Sequence, residues 1–552
     1  MRFEEYKKQI QDYLNKEKSL YEEDIKANMS LSDPDKVEAG LLIKSVKVEQ
    51  KEDDGYILST SENQTKLRPG DRVTLVSKDG RRFSGKIIEN GTSTIIIESP
   101  VRMEKGQTYR LEVNEFVLLD PLISLIDSIE LGMPGSDFIE ILAGARKPES
   151  VGLLPIDNIP PMPEKLNKSQ RTACEKIVKC PTMFCIQGPP GTGKTDVLAT
   201  LANIFAMNDC QVLILSKTHQ AVNNALNKVK NSYPQNDVHK IGEELKAIDL
   251  DKAIDNFPTY NEYIKSRKKS GQSDRDILGM TLQGAIVNLG LRHKGFLPYV
   301  VLIDEAGQIP LTEAACIGAF GAATIVFIGD EKQMPPIFHE KQTSDPLSIS
   351  VFEYLCKEHP DFKQMLDVTY RMNEEITSYV SSRYYDNKLK ASEYSKGRLL
   401  SLTPKSKDIR INKLLTPSPS IVMINVSGGL HTDENVEEAA FITELVKESI
   451  ADGMAIEDIA VITPFRRQVL CVREHLKNAI QGDIPLIDTV ERLQGQDVDM
   501  IIISCTTTNE EYYLKNVAFL ENPNRWNVMI SRAKKKVIII GKHLGFLQSS
   551  IL

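Results

Sequence analysis

The residues that could do chemistry begin with Gly188, Pro189, Pro190, Gly191, Thr192, Gly193, Lys194 and Thr195. Gly188 and Gly193, followed by Lys194 and Thr195, have the spacing of a phosphate loop. Small residues let backbone N–H groups curl around phosphate oxygens. Lys194 would neutralise the β- and γ-phosphates, and the Thr195 hydroxyl would ligate magnesium. Further on, Asp304 and Glu305 follow the apolar run "VVLI". Asp304 suits the magnesium shell, and Glu305 suits a general base toward an attacking water. A third apolar run, "IVFIG", leads into Asp330 and Gln333. A glutamine beside a γ-phosphate can sense whether it is present. Kinases, transporters, switches and motors all share such a loop, so these residues establish a bound nucleotide and leave open what its hydrolysis drives.

The elements that position them are legible as patterns. Buried strands such as "TMFCIQ", "QVLILS", "YVVLID" and "TIVFIG" alternate with helical stretches after Leu166, the signature of a doubly wound α/β domain. A second α/β set follows, with "SIVMINVS", "IAVITPF", "MIIISCT" and "KVIIIGK". Between Lys240 and Asp276 the chain is polar and lysine-rich and reads as a helical insertion. Residues 1–30 place apolar side chains at near-helical spacing. From Leu41 to Val113 short alternating runs are punctuated by the hairpin signals Asp79-Gly80 and Asn90-Gly91, which predicts a small antiparallel barrel. The Pro-rich stretch "RKPESVGLLPIDNIPPMPEKL" reads as a linker.

Bulk composition narrows the class. A chain of 552 residues calls for three or four domains, and 41% hydrophobic with 26% charged residues is a globular composition. A net charge of −8 argues against a generic basic nucleic-acid coat but leaves room for a local basic channel. The eight cysteines are scattered singly with no Cys-x-x-Cys, which disfavours a zinc ribbon or iron–sulfur site. No apolar leader opens the sequence, and the longest apolar stretch, from Ala314 to Gly329, is too short to span a membrane. The expectation is a cytoplasmic protein with no membrane partner.

The order of motifs resembles superfamily 1 helicases, within them the Upf-like class B group that includes the immunoglobulin-mu-binding helicase. "LNKSQRTA" (Leu166–Ala173) looks like the adenine-recognition motif, with Gln170 as base reader. "GPPGTGKT" is similar to motif I, "SKTHQAVNNAL" to motif Ia, "DEAGQ" to motif II and "GDEKQMPP" to motif III. "TYRMNEEI", "TVERLQGQDVD" and "NRWNVMISRAKKK" are similar to motifs IV, V and VI. Departures are Met334 for the usual Leu, Glu491 for Asp and Leu493 for Phe.

That resemblance implies two tandem RecA-like P-loop domains sharing ATP and Mg2+. They would carry an N-terminal helical stalk and a small antiparallel β-barrel. The implied division is a stalk helix over 1–40, the barrel over 41–115, and stalk helices with a linker over 116–165. RecA-like domain 1 would then cover 166–345, with a helical insertion about 230–285, and domain 2 would cover 346–552. Arg371 and Arg532 would reach the nucleotide from the second domain as arginine fingers, and Gln494 and Gly495 would also face it. Thr218, His219 and Asn223 on the first domain, with Arg466 and Thr489 on the second, would hold a single strand of DNA or RNA. Lys534, Lys535 and Lys536 are expected on a solvated face, and Trp526 is expected to pack behind motif VI.

The activity so implied is an ATP-dependent helicase or translocase moving 5′→3′, a monomeric motor core aimed by separate targeting proteins. A nucleic-acid-gated ATPase switch that clamps without unwinding fits the same motifs. A P-loop kinase or GTPase leaves motifs IV to VI without a role. A helicase–nuclease fusion is disfavoured by the absence of an iron–sulfur cysteine set.

Overall fold

In the computed structural model, residues 2–548 are described apart from 53–54, 62, 64, 66, 68–70, 92–93, 114–118, 151–161, 271–275, 289–296, 427 and 492–495. Six strands close the antiparallel barrel: β1 (Leu42–Glu52), β2 (Gly55–Ser59), β3 (Arg72–Ser77), β4 (Arg82–Asn90), β5 (Thr94–Glu98) and β6 (Thr108–Val113), in the order β1-β2-β5-β4-β3-β6. Every second residue points in, so Val73, Leu75, Ile87, Ile95, Ile97 and Leu111 fill the interior. The Asp79-Gly80 turn joins β3 to β4, with Gly80 at φ 81°.

The first lobe is built on eight strands: β7 (Met183–Gln187), β8 (Val212–Ser216), β9 (Val238–Ile241), β10 (Asp255–Phe257), β11 (Ile277–Thr281), β12 (Val300–Ile303), β13 (Thr324–Gly329) and β14 (Lys363–Met365). All pair in parallel, in the order β10-β9-β11-β8-β12-β13-β7-β14. The central strands are buried on both faces, which is why they read as continuous apolar runs. The helix Lys194–Met207 covers one face. The N-terminal helix Phe3–Ser30 and the helices Leu119–Asp127 and Ser136–Leu142 cover the other, where Phe138 stacks on Phe327 at 5.7 Å.

Two expectations need correction here. The stretch 230–285 is no helical insertion: it threads β9, β10 and β11 into the parallel sheet, and the helix Tyr260–Ser270 falls between β10 and β11 in the sequence. Its edge strands are short and polar, so they carry no apolar signature. The boundary between lobes also lies later than 345, because β14 pairs with β7 and extends the first sheet to Met365.

After a two-stranded ribbon of β15 (Val368–Thr369) and β16 (Lys390–Ala391), the second lobe forms a five-stranded parallel sheet. Its strands β17 (Ile421–Ile424), β18 (Ile459–Ile462), β19 (Leu486–Asp488), β20 (Val498–Ser504) and β21 (Ala533–Ile540) lie in the order β17-β21-β20-β18-β19. At the end of β20 a buried carboxyl, Glu438, accepts the Ser504 hydroxyl at 2.6 Å and the Thr506 amide at 2.9 Å. Burial pushes its pKa up to about 7.

Lys534, Lys535 and Lys536 do not form a solvated face, because they lie on β21. Lys535 pairs with Asp499 at 2.6 Å. Lys536 is fully buried, and its ammonium donates to the Thr416 and Pro419 carbonyls at 2.8 and 2.6 Å. Desolvation lowers its pKa to about 8. Trp526 is buried edge-on to Phe546, its indole N–H on the Leu520 carbonyl at 2.7 Å. Among the described residues no helix is long and apolar enough to cross a membrane.

Candidate nucleotide site and strand-facing surface

The loop Gly188–Gly193 leaves the carboxyl end of β7 and feeds the helix that starts at Lys194, the place in an open α/β sheet where anions bind. Gly191 and Gly193 take φ 72° and 76°, a region that costs a side-chain-bearing residue free energy. At Gly188 a Cβ would sit 2.1 Å from Lys194 Cγ, so only glycine lets the lysine fold over the loop. The Lys194 ammonium donates to the Gly188 carbonyl at 2.6 Å. Thr192 donates to the Pro189 carbonyl at 2.7 Å, and Pro190 offers its carbonyl to Thr369 at 2.8 Å. Gln170 is buried beside the loop. Its amide nitrogen donates to the Thr192 carbonyl at 3.0 Å, and its oxygen accepts the Asn167 amide at 2.9 Å. Thr195 is half-buried on the first turn of the helix.

Asp304 ends β12 only 6% exposed, and the next residue, Glu305, sits at φ 54°. A non-glycine residue in that left-handed region is strained, and such strain is held by surrounding structure at functional sites. The twist sends the two carboxylates different ways. The Glu305 amide donates to Asp304 Oδ1 at 3.0 Å, and Gln308 donates to Glu305 Oε2 at 3.4 Å. Burial first and the Glu305 charge second push the Asp304 pKa up to about 7, with Lys194 opposing. A buried carboxyl repelled by its neighbour is a hard oxygen ligand of the kind Mg2+ takes. Asp304 and the Thr195 hydroxyl are the residues that would hold such an ion. From the end of β13, Gln333 donates to Asp330 Oδ2 at 2.8 Å.

The second lobe brings two cations to this cleft. Arg371 follows Tyr370, whose amide donates to the Gly191 carbonyl at 2.8 Å. A Cβ on Gly191 would lie 2.5 Å from that of Arg371, so the arginine rests directly on the loop. Arg371 donates to the Ser531 carbonyl at 3.2 Å and pairs with Asp497 at 3.4 Å. Arg532 is 4% exposed and donates to the Gln496 carbonyl at 3.3 Å. Its Nε has no hydrogen-bond partner among the described residues. Burial and then the neighbouring Arg371 push the Arg532 pKa down to about 9, while Glu305 and Asp497 pull the other way. Arg532 and the half-buried Arg371 meet the charge of Glu305 across the cleft, and cations gathered over the phosphate loop leave a place for an anion. Gln494 and Gly495 lie outside the described residues. Asp497 and Tyr370 were passed over in the sequence, although both lie inside the motifs that carry Arg371 and Gln494.

On the strand-facing side the predicted residues scatter more. Thr218 caps the helix His219–Ser232, accepting the Ala221 amide at 3.2 Å. His219 is kept neutral, its pKa down to about 4, by burial and by Lys240. Asn223 is turned inward, a correction to its expected strand-facing place. It is 3% exposed and donates to the Lys246 carbonyl at 3.2 Å, because its register on the helix faces the sheet. Thr489 is buried, its amide on Asp488 at 2.8 Å. Arg466, at the start of the helix Arg466–Ala479, reaches the barrel and donates to the Thr65 carbonyl at 3.2 Å. The barrel also holds the first lobe through Lys86–Glu243 at 2.9 Å and Lys246–Asp71 at 3.0 Å.

Comparison with known proteins agrees with this geometry. Two family models described as AAA domains match residues 165–347 and 347–544. The chain is 31% identical over 407 residues to the DNA replication ATP-dependent helicase/nuclease of Schizosaccharomyces pombe, covering 70% of this chain and 28% of that protein. It is 26% identical over 524 residues to the human DNA replication ATP-dependent helicase/nuclease, covering 86% of this chain and 48% of the relative. An ATP-dependent helicase of Methanocaldococcus jannaschii is 28% identical over 464 residues, with 68% of each chain covered. The chain thus spans between about a quarter and a half of the length of the helicase/nuclease relatives it matches.

Proposed function

We propose that this chain is a superfamily 1 helicase, an ATP-driven motor moving 5′→3′ along single-stranded DNA or RNA. The observation that carries the reading is the meeting of Arg371 and Arg532 from one lobe with the Gly188–Gly193 loop, Lys194 and Glu305 from the other. Neither lobe alone presents both a phosphate cradle and a sufficient positive charge. Bound ATP would therefore draw the lobes together, and its loss would let them part.

In this reading Gln170 holds the base and residues 188–193 wrap the phosphates. Lys194 screens the β- and γ-phosphates, and Thr195 and Asp304 hold magnesium, which neutralises charge on the transferred group. Glu305 orients and deprotonates the attacking water, and Gln333 answers to the γ-phosphate. Arg371 and Arg532 stabilise the charge that develops on the phosphoryl oxygens. The domain division is 166–365 for the first RecA-like unit and 366–548 for the second, with the barrel and N-terminal helices as accessories on the first.

Thr218 and His219 on one lobe, and Thr489 and Arg466 on the other, would grip phosphates and sugars with little base preference. A strand held alternately by each lobe advances as the cleft cycles. The 5′→3′ direction rests on the class B resemblance.

One experiment tests the reading. ATP turnover is measured with single-stranded DNA and with RNA, followed by unwinding of duplexes tailed at the 5′ or the 3′ end, with Glu305→Gln as the inactive control. The expected result is turnover stimulated by oligonucleotide and unwinding from the 5′ tail only. Stimulated turnover with no unwinding would favour a clamp, and turnover indifferent to oligonucleotide would end the motor reading.

A further inference from the structure

A chain of buried side-chain hydrogen bonds crosses between the lobes where none of the roles above requires it. Tyr385 closes the helix Glu374–Tyr384 of the second lobe, and its hydroxyl donates to Asp330 Oδ2 at 2.6 Å. The same oxygen accepts the Gln333 amide at 2.8 Å. Asn527 donates to the Tyr385 oxygen at 2.8 Å and to the Lys332 carbonyl at 2.7 Å. One turn earlier, Asn524 donates to the Gln333 carbonyl at 2.6 Å and the Glu331 carbonyl at 3.1 Å. Asn524 and Asn527 share the helix Pro523–Ile530, which leads directly to Arg532.

These contacts are not ordinary packing. Asp330, Gln333, Tyr385 and Asn527 are all buried. A phenol hydroxyl and a carboxylate in that setting cost desolvation free energy unless they pair, whereas a phenylalanine at 385 would fill the same space. The chain also begins at the nucleotide, because the Asp330 carboxylate lies within electrostatic reach of Lys194. It ends at the helix carrying the arginine that faces Glu305.

We propose that Tyr385 is a positioning residue for hydrolysis, its hydroxyl linking the polar end of β13 to the helix that sets Arg532 in the cleft. Asp330 and Gln333 sense the phosphate side, and Tyr385 with Asn527 transmits their placement to the arginine. The proposal rests on the hydrolase reading above, and it adds a residue that lies outside every motif singled out in the sequence.

The test uses the full chain with Tyr385→Phe, Arg532→Ala and the double variant, measuring oligonucleotide-stimulated ATP hydrolysis and the affinity of a fluorescent ATP analogue. Tyr385→Phe should lower kcat about tenfold, the scale of one hydrogen bond to a charged group, with KM and analogue affinity within about twofold. On the Arg532→Ala background under single-turnover conditions, Tyr385→Phe should change the rate less than about twofold, because the two act as a unit. An unchanged kcat in the single variant overturns the proposal. So does a full tenfold loss on the Arg532→Ala background, which would place Tyr385 in a separate role. Asn527→Ala must reproduce the same pattern, and it carries the test if Tyr385→Phe fails to fold. A wild-type chain with no ATP turnover would sink the hydrolase reading and this proposal together, whereas active wild type with an indifferent Tyr385→Phe sinks the proposal alone.

Discussion

Each lobe buries a carboxyl at the end of its sheet, and burial drives both to a pKa of about 7, yet the two are treated in opposite ways. In the second lobe Glu438 is enclosed by donors: the Ser504 hydroxyl, the Thr506 amide and the Asn435 side chain. In the first lobe Asp304 has the Glu305 amide, a repelling carboxylate next to it and Lys194 as its counter-charge. The same desolvation therefore produces a closed structural knot in one place and an unfinished ligand set in the other. What separates a site from a core here is how many partners the protein itself supplies, and the arginines follow the same rule. Among the described residues the Nε of buried Arg532 has no acceptor, while the ammonium of buried Lys536 has carbonyls at both hands.

The comparison can be broken by substitution. The largest effect belongs to Arg532→Ala, which should lower the hydrolysis rate on the order of a thousandfold or more, with analogue affinity changed only a few-fold. Arg532→Lys should not restore it, since an ammonium lacks the planar fork. Near-normal turnover in either variant would show that the arginine is a structural ion. Asp304→Asn comes next, with turnover down about a thousandfold through loss of the magnesium ligand and a melting temperature no lower than wild type, because a buried repulsion is removed. A fall in melting temperature would mean that Asp304 belongs to the core after all.

Glu438 should behave in reverse. Its folded pKa lies above the unfolded value of 4.5, so the folded state binds the extra proton. Stability from this group is therefore full below about 4.5 and declines as pH rises toward about 7, on the order of 3 kcal/mol over the window. Thermal melts across that range should show the decline, and Glu438→Gln should reduce it, leaving the share of Asp304 and Asp330, with kcat within about twofold. A melting profile already flat in the wild type would refute the assignment. The smallest effect is that of Arg466→Ala, which should weaken oligonucleotide binding a few-fold and lower the salt slope by about one. An unchanged slope would place Arg466 on the barrel and nowhere else.

The nucleotide end of the first lobe was legible because its chemistry is local. Gly188 to Thr195 and Asp304-Glu305 are fixed by spacing within a few residues and by the apolar strands ahead of them. The placement of Arg371 and Arg532 toward the first lobe was reachable only through the motif order, since no pattern in a sequence says which surface an arginine crosses to. Three features were hidden for physical reasons. The edge strands "VHKI" and "DNF" carry too little apolar character to stand out from a lysine-rich stretch. The strand "KQM" at 363–365 has no apolar run, so the first sheet was cut short at 345. The run Lys534–Lys536 looked solvated because a buried lysine satisfied by carbonyls has the same letter as an exposed one. Asn223 misled in the same way, and its register on the helix could have revealed it.

Among the described residues the barrel meets the first lobe through the pairs Lys86–Glu243 and Lys246–Asp71, and the second lobe reaches it where Arg466 donates to the Thr65 carbonyl. A stiff body tethered to two neighbours cannot accompany both when they separate, and if it stays with the first lobe the Arg466 contact is the one that yields. Opening of the nucleotide cleft would thus be registered some distance away, as a detachment of Thr65 from Arg466. A pair of dyes placed across that one contact would follow the cycle of the engine without touching its fuel.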